Sequence, residues 1–151
     1  MIRERFTGDL KEAIKARDAT RVSTLRLISA AIKDRDIAAR TSDSPGGVSD
    51  TEILAILAKM IRQRQESASV YEQAGRLDLA GRERAEVAIL KEYLPKQMSE
   101  GEVDRAVVAA IESIGASSVR DMGRVMALLK ERHTGSMDFA RAGAALKQAL
   151  R

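Results

Sequence analysis

The chain has 151 residues, with 26 Lys/Arg, 22 Asp/Glu, one histidine and no cysteine, for a net charge of +4. The lack of cysteine excludes disulfides, thiolate nucleophiles and cysteine-held zinc, and a lone histidine argues against a histidine-based metal site or triad. At 44% hydrophobic and 3% aromatic, the sequence predicts a globular core of small and aliphatic residues between helices, not a platform of rings that stacks bases.

No apolar run reaches the roughly 20 residues that span a bilayer, and residues 1–6 form no apolar signal core. A cytoplasmic protein without membrane contact is the expectation. The mild positive charge allows a polyanion partner without demanding one.

Helical periodicity runs through the chain. Ile2, Phe6, Leu10 and Ile14 recur every four residues and predict a first helix. Arg17, Asp18, Ala19 and Thr20 interrupt it. Val22, Leu25, Ile28 and Ile32, with Leu27, predict the inward face of a second helix that fades near Ala39. Residues 41–47, rich in Ser, Asp, Pro and Gly, read as an exposed, mobile loop. Gly46 and Gly47 lack the spacing, lysine and hydroxyl of a phosphate-binding loop.

Ser49 and Glu52 have capping-box spacing and open a third helix that runs to about Ala74. Its first half is apolar: Ile53, Leu54, Ile56, Leu57, Met60 and Ile61. Its second half is polar, with Ala68, Val70 and Tyr71 left to pack. Gly75 suits a helix C-terminus. A fourth helix runs from near Leu77 to Tyr93 and Leu94, where Pro95 stops it. So short a link predicts an antiparallel hairpin.

Past Pro95 the rhythm shortens. Ser99 and Glu102 repeat the capping box ahead of Val103, Val107, Ala110, Ile111 and Ile114, which end at Gly115. Ser118 and Asp121 open a helix with Met122, Val125, Met126 and Leu129 inward. Residues 133–136 form a turn, and Asp138 caps a last helix bearing Phe139, Ala142, Ala145, Leu146 and Ala149. The whole predicts an all-α fold. An elongated N-terminal helical part with a hairpin, residues 1–94, precedes a small C-terminal three-helix bundle, residues 95–151.

The residues offer little catalytic chemistry. Glu83 and Glu86 share a helix face, with Glu66 and Glu72 across the hairpin. Each has a basic neighbour among Arg62, Arg64, Arg76, Arg82 and Arg84, so ion pairing outweighs acid–base or divalent-ion work. Ser67 has no histidine near it in sequence and reads as a small packing residue rather than a nucleophile. His133 reads as a helix C-terminal residue facing free carbonyls. Tyr71 and Tyr93 read as hairpin packing with their hydroxyls at the edge. A basic set, Arg120, Arg124, Lys130, Arg132 and Lys147 with Arg151, could grip phosphates by shape. Lys59, Arg62 and Arg64 make a weaker one.

Several stretches carry a family resemblance. One runs from Arg64-Gln65-Glu66-Ser67 through Tyr71-Glu72-Gln73-Ala74-Gly75-Arg76 to Tyr93-Leu94-Pro95. Others are Arg21-Val22-Ser23-Thr24-Leu25-Arg26 near the start and Asp121-Met122-Gly123-Arg124-Val125-Met126 in the tail. The chain thus resembles the YqeY family, small bacterial proteins related to the tail of the B subunit of the tRNA-dependent amidotransferase (GatB). Ala127 and Leu128, and the turn with His133 and Thr134, depart from the family's usual glycine and basic residues.

The resemblance implies a non-catalytic module that binds tRNA or associates with tRNA-dependent amidation, with Arg120, Arg124, Lys130, Arg132 and Lys147 as its RNA contacts. It implies tRNA, or a tRNA-modifying or aminoacylation enzyme, as partner. It places relatives in a carbon–nitrogen ligase system with glutamine as amido donor, while giving this chain no catalytic residue, cofactor or metal. The alternative reading is a protein–protein adaptor that uses the hairpin of residues 49–94.

Overall fold

A computed structural model describes residues 2–40 and 47–151, apart from the Arg40 side chain. Of the loop predicted at 41–47, residues 41–46 lie outside the described residues. Among those described there are seven α-helices and no strand. They divide into two compact units, Met1–Leu94 and Pro95–Arg151.

The first unit holds α1 (Ile2–Lys15), α2 (Ala19–Arg40), α3 (Asp50–Gln73) and α4 (Leu77–Lys91). Its core gathers Phe6, Leu25, Ile28, Ile32, Ile53 and Leu57 with Val87, Leu90 and Tyr93. Two residues expected inward are not. Ile14 is 49% exposed and Leu27 46%. A four-residue spacing drifts about 40° per step on a helix of 3.6 residues per turn, so three steps from Ile2 carry Ile14 off the stripe. Ala13, seven residues from Phe6, returns to it and is buried.

Between α1 and α2 the chain turns through Arg17, which has a left-handed φ of 55°. The Asp18 side chain then accepts from the Arg21 amide at 3.1 Å and caps α2.

The far end of α2 is tied to the start of α3 by a clamp. Arg3 donates to both Asp36 carboxylate oxygens at 2.9 and 2.7 Å and to the Val48 carbonyl at 3.0 Å. Asp36 also accepts from the Val48 amide at 2.9 Å. Gly47 sits against this clamp at φ +79°, where a Cβ would fall 2.6 Å from Asp36 Oδ1. Glycine is required twice there, for its backbone angle and for space.

The capping box opening α3 is present: Glu52 donates its amide to Ser49 Oγ at 3.2 Å, and Ser49 donates its own to Glu52 at 2.9 Å. The α3–α4 hairpin follows, turning at Gly75 with φ +76°. Helix α4 ends at Lys91, a little before Pro95.

The second unit packs α5 (Glu100–Ile114), α6 (Met122–His133) and α7 (Phe139–Ala149) around Val103, Val107, Val125, Leu129, Ala142 and Leu146. Ala149 faces outward, and Leu150, at the cap of α7, fills that end of the core instead. A 3₁₀ turn, Val119–Asp121, precedes α6.

Carboxylates fix the helix starts in this unit. Glu102 and Ser99 form a reciprocal capping box. Asp121 accepts from the amides of Ser117 and Ser118, and Asp138 from those of Ala140 and Arg141. The Ser99 and Ser117 amides, as main partners, hold the carboxyls of Glu102 and Asp121 below their ordinary values.

Two expectations follow. Gly47→Ala should destabilise the first unit by about 2 kcal/mol and leave the second unit's melting unchanged, as read by two-transition calorimetry. Glu102 and Asp121 are depressed groups, so their stabilisation is present above the usual carboxylate range and is lost as pH falls through their lowered values. Acid titration should weaken the second unit, and Asp121→Asn should flatten that dependence.

Candidate functional site

Several of the hairpin's charged residues pair with one another. Arg64 donates through Nε to Glu86 at 2.7 Å, with both side chains largely covered (15% and 24% exposed). Arg84 donates to Glu72 at 2.6 Å on the surface. Arg76 pairs with Asp78 at 3.3 Å. The acids do not converge, and among the described residues no three metal-capable side chains gather. Of the four glutamates expected to ion-pair, Glu72 and Glu86 do so. Of the weaker basic set, Arg64 is locked in its pair, while Lys59 and Arg62 are exposed.

Beyond Ile61, the hairpin is closed by small residues. Ala68 is the only buried residue of distal α3, and Ala80 the only one in α4 before Val87. Ser67 does not lie in that seam. It is half-buried and lines a shallow depression of about 530 Å³ with Gln63, Glu66, Val70 and Tyr71. Val70, expected to pack, is 63% exposed, and Leu77 at the hairpin tip is 66% exposed. Helical geometry explains Val70: two residues past Ala68, it points about 200° around the helix from the α4 contact. Tyr71 is half-buried, and Tyr93 is in the core.

The basic residues of the second unit do not form one strip. Arg120 lies in the 3₁₀ turn, so its four-residue spacing to Arg124 does not run along one α-helix. Arg124 pairs with Asp121 at 3.4 Å. On α6, Lys130 and Arg132 lie about 120° one way and 80° the other from Arg124. Arg132 reaches Ser113 Oγ at 3.5 Å, and Lys147 is exposed in the last turn of α7. His133 ends α6, and its carbonyl accepts from the Ser136 and Met137 amides and the Ser136 hydroxyl.

One feature had no sequence signal, because its contacts join residues 71 to 88 positions apart. Tyr93 donates to Asp9 at 2.5 Å and packs on Phe6 with centroids 4.6 Å apart, while the Arg5 guanidinium sits 4.8 Å over its ring. Arg21 forks onto Glu92 at 2.5 and 3.2 Å. Arg5, Asp9, Arg21, Glu92 and Tyr93, with residues of α1 and the turn after it, line a groove of about 500 Å³.

Burial, then the Asp9 carboxylate, pushes the Tyr93 phenol up; the Glu92 hydrogen bond pushes Arg21 up. Both shifts move the groups away from neutral pH, opposite to what an acid–base catalyst needs. The groove is a clamp between α1, α2 and the end of α4.

Tyr93→Phe should lower stability by about 1 kcal/mol at neutral pH. A raised phenol stabilises fully below its ordinary value and loses that contribution as pH rises through the folded value. The wild-type chain should therefore weaken above pH ~10 more steeply than the variant, as read by denaturant titration.

Comparison with known proteins bears on these sites. The family model described as "Yqey-like protein" matches residues 3–150. Among curated relatives, all bearing the name "Altered inheritance of mitochondria protein 41, mitochondrial", that of Lachancea thermotolerans is 34% identical over 101 residues, 66% of this chain and 52% of the relative. That of Pyrenophora tritici-repentis is 28% identical over 137 residues, 87% of this chain and 73% of the relative. A Saccharomyces cerevisiae relative is 29% identical over 97 residues, 64% of this chain and 50% of the relative. The chain spans about half the length of several of these relatives.

Three expectations are corrected by these findings. The relatives are named for mitochondrial inheritance, not for tRNA or amidation, which overturns the tRNA-binding or amidotransferase-associated reading. They are fungal, which removes "bacterial" as a description of the group. They are mitochondrial, which overturns the cytoplasmic expectation. Among the described residues no helix is long and apolar enough to cross a membrane.

Proposed function

The chain belongs to the YqeY family, and from that premise we propose that it works by binding protein, not by catalysis, with the α3–α4 hairpin as its docking surface. Family membership supports a chain that is not an enzyme in its own right. The observation that carries the reading is the distal hairpin. Arg64 and Arg84 are held there in pairs with Glu86 and Glu72, while Val70 and Leu77 stand exposed.

Internally paired charge weakens any attraction to a polyanion, which depends on free cations. Exposed aliphatic side chains beside a shallow depression favour burial against another protein surface instead. A docking role also suits relatives named for a trait, mitochondrial inheritance, and not for a reaction.

A photo-crosslinking amino acid at position 70 or 77 tests this in cells. Discrete protein adducts are expected from both positions and none from the exposed controls Arg35 and Arg105. The adduct from position 77 should vanish in the Val70→Glu background, with circular dichroism unchanged. Nuclease-sensitive adducts, or none, would overturn the reading.

A further inference from the structure

We propose that the outer face of the α1–α2 hairpin is a membrane-surface contact that takes anionic phospholipid headgroups. It is a second surface of the first unit, independent of the docking role given to the α3–α4 hairpin.

The charge of the chain is concentrated there. Residues 1–40 hold ten Lys/Arg and six Asp/Glu, a net +4. Residues 41–151 balance at sixteen of each, so the whole excess sits in the α1–α2 hairpin. Arg3, Lys15 and Arg21 are held by Asp36, Glu12 and Glu92, and Arg5 lies over the Tyr93 ring. Among the described residues, Lys11, Arg17, Arg26, Lys33 and Arg35 make no ion pair. Glu4 and Asp34 are the only acids of the hairpin left without a partner of that kind or a hydrogen bond.

Helix α2 is apolar on two sides. Leu25, Ile28 and Ile32 face the core. On the opposite side Arg26, Leu27, Ala30, Lys33, Asp34 and Ile37 fall within about 120° of the helix, and all six are exposed. Lys33 and Arg26 lie roughly 60° and 80° around from Asp36, away from the core. Asp36 is the residue that Arg3 of α1 grips, so these two cations edge the seam between the helices. Ile14 lies about 20° around α1 from Arg3 and stands exposed at the same seam. Cations thus run between aliphatic side chains across both helices.

Charge and spacing choose the occupant. Leu27 and Ile37 are about 15 Å apart along the helix, too far to fill one protein pocket. A bilayer surface demands no such convergence. Each aliphatic side chain enters the headgroup region singly, while Lys and Arg extend their stems and keep their charge at phosphate depth. Unpaired cations draw anionic lipid and give nothing toward a neutral one. The phosphates of a nucleic acid would use the cations and leave Ile14, Leu27 and Ile37 in water. The contact is peripheral, since among the described residues no helix is long and apolar enough to cross a membrane. The expectation of no membrane contact rested on the lack of a spanning run, and a surface face needs none.

The chain has no tryptophan, so an introduced indole reports without background. Ile37→Trp fluorescence should shift to the blue with vesicles of phosphatidylcholine containing about one-third phosphatidylglycerol, and not with phosphatidylcholine alone. Val108→Trp, at an exposed position of the second unit, should shift with neither. Cosedimentation of the wild-type chain with the anionic vesicles should fall about fivefold as salt rises from roughly 0.05 to 0.5 M. Arg26→Gln/Lys33→Gln and Leu27→Gln/Ile37→Gln should each weaken it about fivefold with an unchanged helical signal. Arg105→Gln/Lys130→Gln, which removes two exposed cations elsewhere, should stay within about twofold of wild type.

No cosedimentation at low salt would overturn the membrane contact. So would binding that ignores lipid charge, or a blue shift at position 108 in place of 37. A photo-crosslinker at position 37 that captures one discrete protein, with no vesicle binding, would assign the face to an acidic protein and overturn it equally.

Discussion

The close approach of α3 and α4 beyond the core is the constraint on which the surface of the first unit depends. Only Ala68 and Ala80 are buried along that stretch. Two alanines supply little apolar area, roughly 1 kcal/mol each at most. The Arg64–Glu86 pair therefore matters more than an average ion pair. It is mostly out of water, and stripping one partner from such a pair strands a charge at a cost of about 3 kcal/mol. The exposed Arg84–Glu72 pair adds less than about 1 kcal/mol.

That constraint decides what the hairpin offers outside. Small residues inside let the helices approach, and paired charges flank the contact. The hairpin's outer face keeps Val70, with Leu77 at the tip. With Arg64 and Arg84 held in pairs, fewer of its cations are left to grip phosphate. The basic residues of the second unit are likewise distributed: Arg124, Lys130 and Arg132 point to different sides of α6. Geometry and the names of the family relatives thus lead away from the tRNA reading.

Helix ends are governed by a different physics. Ser49–Glu52, Ser99–Glu102, Asp121 and Asp138 act on backbone amides within four residues of themselves. Such interactions form wherever the local chain does, largely independent of tertiary packing. The clamp of Arg3, Asp36 and Val48 and the Tyr93–Asp9 bond are the opposite case. They join positions 12 to 84 residues apart and exist only once the first unit is assembled.

The sequence by itself determined what is local. Both capping boxes, the turn at Gly75, the stop before Pro95 and the all-helical class were readable, since caps, periodicity and turn residues act over a few positions. The family was readable as well, through contiguous motifs. The stripes were readable only approximately: Phe6, Leu25, Ile28 and Leu57 are buried, but Ile14 is not, because a four-residue rule drifts from the true helical pitch, nor is Leu27, which sits about 200° around the helix from Leu25. Tertiary structure alone decided which polar groups meet and which apolar ones stay uncovered. Nothing in the order of residues joins Tyr93 to Asp9 or leaves Val70 in water, and ion pairing in the hairpin was readable only as a set, not as Arg64 onto Glu86. Those outcomes depend on where whole helices come to rest, and that is fixed by packing rather than by neighbours in the chain.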